Sequence, residues 1–364
     1  MMGRLVFVTG AAGYVGSHCV LEFLVNGYDV IVIDNLVNCV ITDGNELPES
    51  LIRVQHLTGK KIKQFIDGDL RDSHLLDSIF ANNDIDVVIH FAGLKAVGES
   101  IDKPLLYYDN NIIGTINLLK TMKKYKVDKL VFSSSSTVYG EPEQLPITEH
   151  FPTGQNCTNP YGRTKYMLEE IMKDVCRASP DWSIISLRYF NPVGAHFSGD
   201  IGEQPNGEPK NLMPYITQVA VGVRQELKVF GNDYKTSDGT CIRDYLHIED
   251  LAVGHLKAID KIYNNNFPGF HAINLGTGRG YTVLEVIRAF EVATGVKVPY
   301  KIVGRRPGDA CAVYADARLA QEVLEWKATR GLQDMCSSAW KWQQKNPNGY
   351  RSKINIVQIL LSKL

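Results

Sequence analysis

Short runs of apolar, often β-branched residues alternate with stretches of helical period through the first half of the chain. Leu5–Thr9, Val30–Asp34, Ile62–Asp67, Val87–His90, Leu130–Ser134 and Ile184–Tyr189 read as strands. Between them, Gly13–Val25, Asp72–Phe80, Leu106–Lys123 and Tyr161–Cys176 carry helical spacing. Buried runs separated by helices predict βαβ units, hence a Rossmann-type α/β fold: a doubly wound parallel sheet covered on both faces. After Asn191 the alternation is lost. Gly199–Asn211, rich in Gly, Pro and Asn, reads as loop, and short mixed elements follow. The pattern predicts a first domain over residues 1–190 and a smaller C-terminal α/β region over 191–350, with a tail at 351–364. The boundary near 190 is soft, because a second lobe can return strands to the first domain.

Composition narrows the class. The chain has 364 residues, 44% of them hydrophobic, enough for one large core or two joined ones. A formal net charge of -1 provides no general field for nucleic acid or an anionic membrane, so neither is an expected partner. Any anionic ligand must be held by local groups. The seven cysteines are scattered singly with no C-x-x-C pair, which favours free thiols in a reducing compartment. Met1-Met2-Gly3-Arg4 runs directly into the first strand without a secretory h-region, and no apolar run reaches membrane-spanning length. A cytoplasmic protein is expected. On that reading the sequon Asn156-Cys157-Thr158 is a chance match. In the tail, Ile356, Leu360 and Leu364 form a helical stripe too short to span a bilayer.

Candidate chemistry begins at the first strand's end. Thr9-Gly10-Ala11-Ala12-Gly13-Tyr14-Val15-Gly16 has the pattern G-x-x-G-x-x-G between a strand and a helix. Gly10 permits a tight turn, Gly13 lets the backbone approach a pyrophosphate, and Gly16 allows close packing of the helix on the sheet. The helix N-terminus then offers orphan N–H groups to phosphates. Asp34 ends strand two where a ribose 2′-hydroxyl would bind, and its carboxylate would repel a 2′-phosphate, favouring NAD over NADP. Asp69, in Gly68-Asp69-Leu70, is equally readable as an adenine contact and as a capping or loop residue.

Strand five runs into Ser133-Ser134-Ser135-Ser136-Thr137, hydroxyls at the carboxyl end of a buried strand, where α/β sheets bind ligands. Tyr161 and Lys165 then share one face of a helix opening after Asn159-Pro160. An isolated phenol is a poor base at neutral pH. A neighbouring ammonium and a positive nicotinamide are expected to lower its pKa, letting it accept an alcohol proton while hydride leaves for NAD.

These residues carry a resemblance. Y-x-x-x-K after a serine-rich strand end, with the N-terminal glycine motif, resembles the extended short-chain dehydrogenase/reductase family, and within it the UDP-galactose 4-epimerases. His90–Ser100, Leu187-Arg188-Tyr189-Phe190-Asn191-Pro192, Asn211-Leu212-Met213-Pro214, Val229–Tyr234 and Arg243-Asp244-Tyr245 resemble that family's signatures, and the likeness covers about residues 4–350. It implies reversible epimerisation of UDP-galactose and UDP-glucose at C4 through a 4-keto sugar, in galactose metabolism, with tightly held NAD. Tyr161 would take the 4-hydroxyl proton, Ser135 would hydrogen-bond that oxygen, and Lys165 would bind the nicotinamide ribose. Further NAD contacts implied are Tyr14, Val15, Asn35, Asn38, Leu70, Phe91, Lys95 and Tyr189. No metal is implied, and the family suggests a homodimer through Leu106–Lys123 and Tyr161–Cys176.

The same resemblance assigns substrate contacts. Ser136, Thr137, Tyr189, Phe190 and Asn191 would lie at the sugar, while Asn211, Leu212, Val229 and Phe230 would contact it or cradle uracil. Arg243, Arg306 and Asp309 would grip the pyrophosphate and ribose, although surface ion pairing reads as well from the residues alone. Lys210 and Ser136 depart from the family's usual Asn and Ala. Val313 stands where a bulky Tyr would restrict the space at the sugar's C2, so N-acetylated UDP-hexoses are expected as additional substrates. A nucleotide-sugar 4,6-dehydratase would need an Asp-Glu pair after Thr137, where this chain has Val138-Tyr139. A non-catalytic dinucleotide scaffold would lack the Tyr or Lys, and both are present.

Overall fold

The structure, a computed structural model, describes residues 4–42, 44–155, 157–205, 207–264, 267–306 and 308–351. Asn156, Pro307 and the tail from 352 onward lie outside the described residues.

The first half supplies β1 (Leu5–Thr9), β2 (Asp29–Asp34), β3 (Gln64–Asp67), β4 (Val87–His90), β5 (Lys129–Ser135) and β6 (Ser183–Tyr189). The second half supplies β7 (Asn191–Val193), β8 (Leu227–Phe230), β9 (Ile242–His247), β10 (Gly269–Leu275), β11 (Gly280–Thr282), β12 (Tyr300–Val303) and β13 (Ala312–Val313). The helices are α1 (Tyr14–Val25), α2 (Glu49–Thr58), α3 (Ser73–Ala81), α4 (Val97–Asp102), α5 (Pro104–Tyr107), α6 (Gly114–Lys124) and α7 (Pro160–Ala178), then α8 (Leu212–Ala220), α9 (Ile248–Asn264), α10 (Val283–Thr294), α11 (Arg318–Leu324) and α12 (Leu332–Lys345). Among the described residues no helix is long and apolar enough to cross a membrane.

Seven strands form one parallel sheet in the order β10-β6-β5-β4-β1-β2-β3. Alternation along each strand feeds two cores. Val6, Val8, Val30, Val32, Val87, Ile89, Val131, Ile185 and Leu187 face α1, α2 and α9, where Phe23, Leu51 and Ile259 meet them. Leu5, Phe7, Ile31, Ile33, Val88, Leu130, Phe132 and Ile184 face α3, α6 and α7, represented by Phe80, Leu118 and Met172. Strand order reverses between β1 and β4, and the carboxyl ends of these neighbours open the crevice in which such sheets bind ligands.

The second half is interlaced with the first. β10 pairs with β6 from Gly269↔Ser183 to Leu275↔Tyr189, and α9 covers the face of the sheet that α1 and α2 share. The remaining elements make a smaller lobe. β9 is flanked by β11 and β13 along Ile242–Asp244 and by β7 along Tyr245–His247, and β8 pairs with β12. Met213, Val229, Tyr245, Phe290 and Met335 belong to its separate core.

Two helices differ from the sequence expectation. The stretch read as one helix over Leu106–Lys123 is α5, a π-helical segment at Tyr108–Ile113, and α6. The wider π turn brings Asn111 inward, where its amide bonds Leu94 N and O at 2.8 and 3.0 Å and Thr164 Oγ1 at 3.1 Å. The helix expected at Tyr161–Cys176 begins a residue earlier, because Asn159 Oδ1 accepts from Gly162 N at 2.8 Å and Pro160 fits the first helical position.

Candidate active site

The glycine loop forms the floor of the crevice. Gly10 turns at φ +67°, and a Cβ on it would stand 2.6 Å from Ala92 N. A Cβ on Gly16 would lie 2.3 Å from the Gly10 carbonyl oxygen, so helix and turn are in contact. Gly13 begins α1 with no side-chain cap, and a Cβ there would meet only Gly10 O, at 3.4 Å. The start of α1 is thus uncapped by any side chain and has room beside Gly13, as a phosphate cradle requires. Asp34 fixes this loop: Oδ2 accepts from Ala12 N at 3.0 Å and Oδ1 from Leu36 N at 2.9 Å. Burial pushes its carboxyl pKa up, and those amides oppose the shift. Around it, Val15 and Gly16 are in α1, Leu70 is buried, and Asn35 and Asn38 are exposed after β2. Asn35 reaches Asp69 at 3.1 Å, but Asp69 is also held by Arg71 at 2.8 Å, which keeps its carboxyl well below the usual range.

At the far side of the crevice, His90 ties β4 to β1. Its ring nitrogens lie 2.7 Å from Thr9 Oγ1 and 2.8 Å from Thr115 Oγ1. Burial lowers its pKa to about 3, so the ring is neutral. Lys95 is exposed at the rim, 5.8 Å from the Tyr14 ring centroid and 3.5 Å from Glu203. The Tyr14 hydroxyl itself donates to Gly194 O at 2.7 Å.

The redox candidates converge at the end of β5. Lys165 is buried and donates from Nζ to Ser133 O at 2.6 Å, with Nζ 6.0 Å from the Tyr161 ring centroid. Burial lowers its pKa to about 8. Ser135 accepts from Thr137 N at 3.2 Å, which turns the chain away from the strand, and Ser136 and Thr137 follow half-buried. The Thr137 hydroxyl has no partner among the described residues. Burial drives the Tyr161 phenol up to about 12, and hydrogen bonding with Ser135 opposes this only in part. The Lys165 ammonium points to a carbonyl instead, so the chain alone keeps Tyr161 protonated.

Tyr189 and Val229 also sit differently from a simple contact reading. His255 Nδ1 donates to Leu251 O at 2.9 Å, which leaves Nε2 to accept from the Tyr189 hydroxyl at 2.5 Å. Phe91 stacks on the same imidazole, 4.9 Å between centroids. The Tyr189 hydroxyl is thus committed to the core. Along β8 the side chains alternate, so Val229 packs into the lobe core at 1% exposure while Phe230 faces outward at 37%. Only the main chain of Val229 remains to meet a ligand.

Across the crevice, Arg243, Arg306 and Asp309 form one cluster. Arg306 binds Asp309 at 2.8 Å, Arg243 lies 3.6 Å from the same oxygen, and the Arg306 guanidinium sits 5.7 Å from the Phe230 centroid. Val313 pairs with Arg243 in register and packs in a cluster with Val138, Tyr139 and Phe190. Asn191 begins β7, and Leu212 begins α8 after the exposed Asn211. Sequence reasoning missed Glu203, whose Oε1 accepts from both Lys95 and Asn211, the latter at 2.9 Å. It also missed Asn111 and His255. No local pattern marked them, because each is placed by a distant element.

A sheet with this order, a glycine turn at its switch point and a Tyr/Lys pair at the end of β5 define a dinucleotide-dependent enzyme of sugar-nucleotide type. The chain belongs to the NAD dependent epimerase/dehydratase family, whose model matches residues 6–276. It is 58% identical over 348 residues to the UDP-glucose 4-epimerase of Drosophila melanogaster, covering 96% of this chain and 99% of that one. The human UDP-glucose 4-epimerase is 54% identical over 349 residues, again with 96% and 99% covered. The crystal structure of UDP-glucose 4-epimerase from Bifidobacterium longum, in complex with NAD+ and UDP, is similar with a TM-score of 0.88 and 54% identity, covering 95% of this chain and all of that one (100%).

Proposed function

We propose that the chain interconverts UDP-galactose and UDP-glucose by reversible oxidation at sugar C4, with NAD held in the β1/β4 crevice. The observation that carries this is the meeting of Ser135, Tyr161 and Lys165 at one strand end, between an open glycine cradle and the Arg243–Arg306–Asp309 cluster. The residues fit the cofactor: Gly13 leaves the α1 N-terminus uncovered, and Asp34 places a carboxylate where a 2′-phosphate would be repelled.

Bound NAD supplies the hydride acceptor for C4 and a positive charge that favours the Tyr161 phenolate. Tyr161 Oη accepts the proton of the sugar 4-hydroxyl as C4 is oxidised, and returns it when C4 is reduced on the other face. No proton or electron is gained overall. Ser135 holds the same sugar oxygen through its hydroxyl. Lys165 remains beneath as a fixed donor beside the phenol. Arg243 and Arg306 hold the diphosphate, and Asp309 orients both guanidinium groups. Elimination of water has no agent here: Val138 and Tyr139, which stand where a dehydratase needs an acid and a base, are buried at 0% and 4% exposure.

The experiment is turnover of UDP-galactose by the purified protein without added cofactor. Tyr161→Phe is expected to reduce kcat by about 10²–10⁴-fold and leave UDP binding unchanged. No turnover by the wild type overturns the reading.

The pocket's breadth and the assembly belong to the same proposal. Val313 is smaller than the Tyr that would close on C2, which supports UDP-GalNAc and UDP-GlcNAc as further substrates. The active form is a homodimer built on α4, α5, the π turn and α7, where Val97, Ile101, Leu105, Leu106, Ile113 and Met167 are all exposed, Leu105 at 80%. Residues 1–190 mainly bind the cofactor and 191–350 the substrate, with β10 and α9 returned to the first. The cysteines of the described residues are all free, which supports a reducing, cytoplasmic setting.

A further inference from the structure

One turn beyond Lys165, α7 carries a buried anion that the mechanism above does not use. Tyr161, Lys165 and Glu169 follow at intervals of four and share a helix face. Glu169 has 0% side-chain exposure, and its partner Arg188 in β6 has 3%. Arg188 grips it with two nitrogens, Nε to Oε1 at 3.0 Å and Nη2 to Oε2 at 2.6 Å. The hydroxyls of Ser134 and Ser186 donate to Oε1 at 2.7 and 2.9 Å. A carboxyl group with this many donors is fixed in place.

The lattice of bonds continues. Arg188 Nη1 donates to the Tyr139 hydroxyl at 2.8 Å, and that hydroxyl donates to Asn274 Oδ1 at 2.7 Å. Asn274 Nδ2 reaches Ile147 O at 2.9 Å, and Ile147 bridges to Ala315, two residues past Val313. Stability alone is a weak reason for such an arrangement, since a well-packed apolar replacement of a buried ion pair is often neutral or better.

The geometry offers another reason. Lys165 bonds the Ser133 carbonyl, and Glu169 accepts from the hydroxyl of the next residue, Ser134, so both side chains of one helix face are anchored at the same strand end. Of the titratable groups facing Lys165, His90 on β4 and Tyr161 on α7 are both neutral. Burial lowers the Lys165 pKa, and the Glu169 carboxylate opposes that shift.

We propose that Glu169, locked by Arg188, is a positioning residue of the redox site that keeps Lys165 an ammonium against Ser133, while Tyr139 and Asn274 extend the same frame to the wall of the sugar pocket. The proposal rests on reading Tyr161 and Lys165 as the redox pair.

Its test is the pH profile of kcat for UDP-galactose with the holoenzyme as purified, comparing wild type with Glu169→Gln. The alkaline limb, where Lys165 loses its proton, is expected to move to lower pH by about one unit in the variant, with KM little changed. Because one partner of a buried pair left alone can prevent folding, the double variant Glu169→Gln/Arg188→Met is measured too, with a smaller shift in the same direction expected, since the Arg188 charge is lost with the carboxylate. Should neither fold, Glu169→Asp, which withdraws the charge by one methylene, takes their place with a smaller shift in the same direction. A folded variant with an unmoved limb overturns the proposal. Absence of turnover in the wild type overturns the functional reading instead.

Discussion

The Tyr189 hydroxyl donates to Nε2 of His255 at 2.5 Å, on an imidazole that Phe91 also packs against. A tyrosine at the carboxyl end of a sheet strand invites a role for its hydroxyl in catalysis, but here its proton is already given to an imidazole. Tyr189→Phe is therefore expected to leave KM and kcat for UDP-galactose within about 3-fold, while the unpaired imidazole nitrogen costs about 1–3 kcal/mol of stability. Chemical denaturation and steady-state kinetics on the same preparation check both halves.

Acid sensitivity follows from the buried histidines. Burial lowers the pKa of His18 and His90 to about 3, and that of His196, His247 and His255 to about 4. In the unfolded chain each titrates near ~6.5. Between those values the unfolded state binds more protons than the folded one, so stability rises with pH through this window and falls as pH drops. Each histidine contributes a slope of up to about 1.4 kcal/mol per pH unit. The melting temperature is expected to fall steeply from pH 6.5 toward 4, and a flat profile there would contradict the burial assigned to these rings.

Val313→Tyr is expected to lower kcat/KM for UDP-GlcNAc roughly 10–200-fold while UDP-galactose turnover persists. Val313 packs on the cluster that holds Phe190 and Tyr139 and pairs with Arg243 across the strands, so added bulk at this position falls among residues assigned to the substrate. Competition between the two substrates in one reaction provides the ratio directly.

The exposed apolar stripe on α5 and α7 gives an assembly test. Leu105→Glu combined with Met167→Glu places charge on residues exposed at 80% and 41% in the single chain. Sedimentation is expected to show a dimer for the wild type and a monomer for the variant. A wild-type monomer at micromolar concentration would remove the dimer from the proposal.

The central sheet was legible because its strands are unbroken apolar runs spaced by helical patterns. The local pattern was silent on α2, whose Glu49–Thr58 segment is nearly as polar as it is apolar, and on β10, whose His271 and Asn274 obscure a strand that closes the sheet. The positions of Tyr161 and Lys165 could be read because their relation is local, four residues on one helix. The phenol's state could not, because it depends on burial by residues far away in sequence. Asn111 shows the same limit: a regular helix over Leu106–Lys123 would turn it elsewhere, and only the π turn brings it to Thr164.

The return of β10 and α9 to the first sheet has a consequence for how the protein is made. A ribosome releases the chain from its N-terminus, and domains commonly fold as they emerge. Here β6 has an open edge, and the α1–α2 face stays partly bare, until residues 248–275 have been synthesised. The first half of the chain cannot mature ahead of the elements that follow residue 190. A nascent chain stalled near residue 190 would carry an unpaired strand edge and so be a natural client for chaperones.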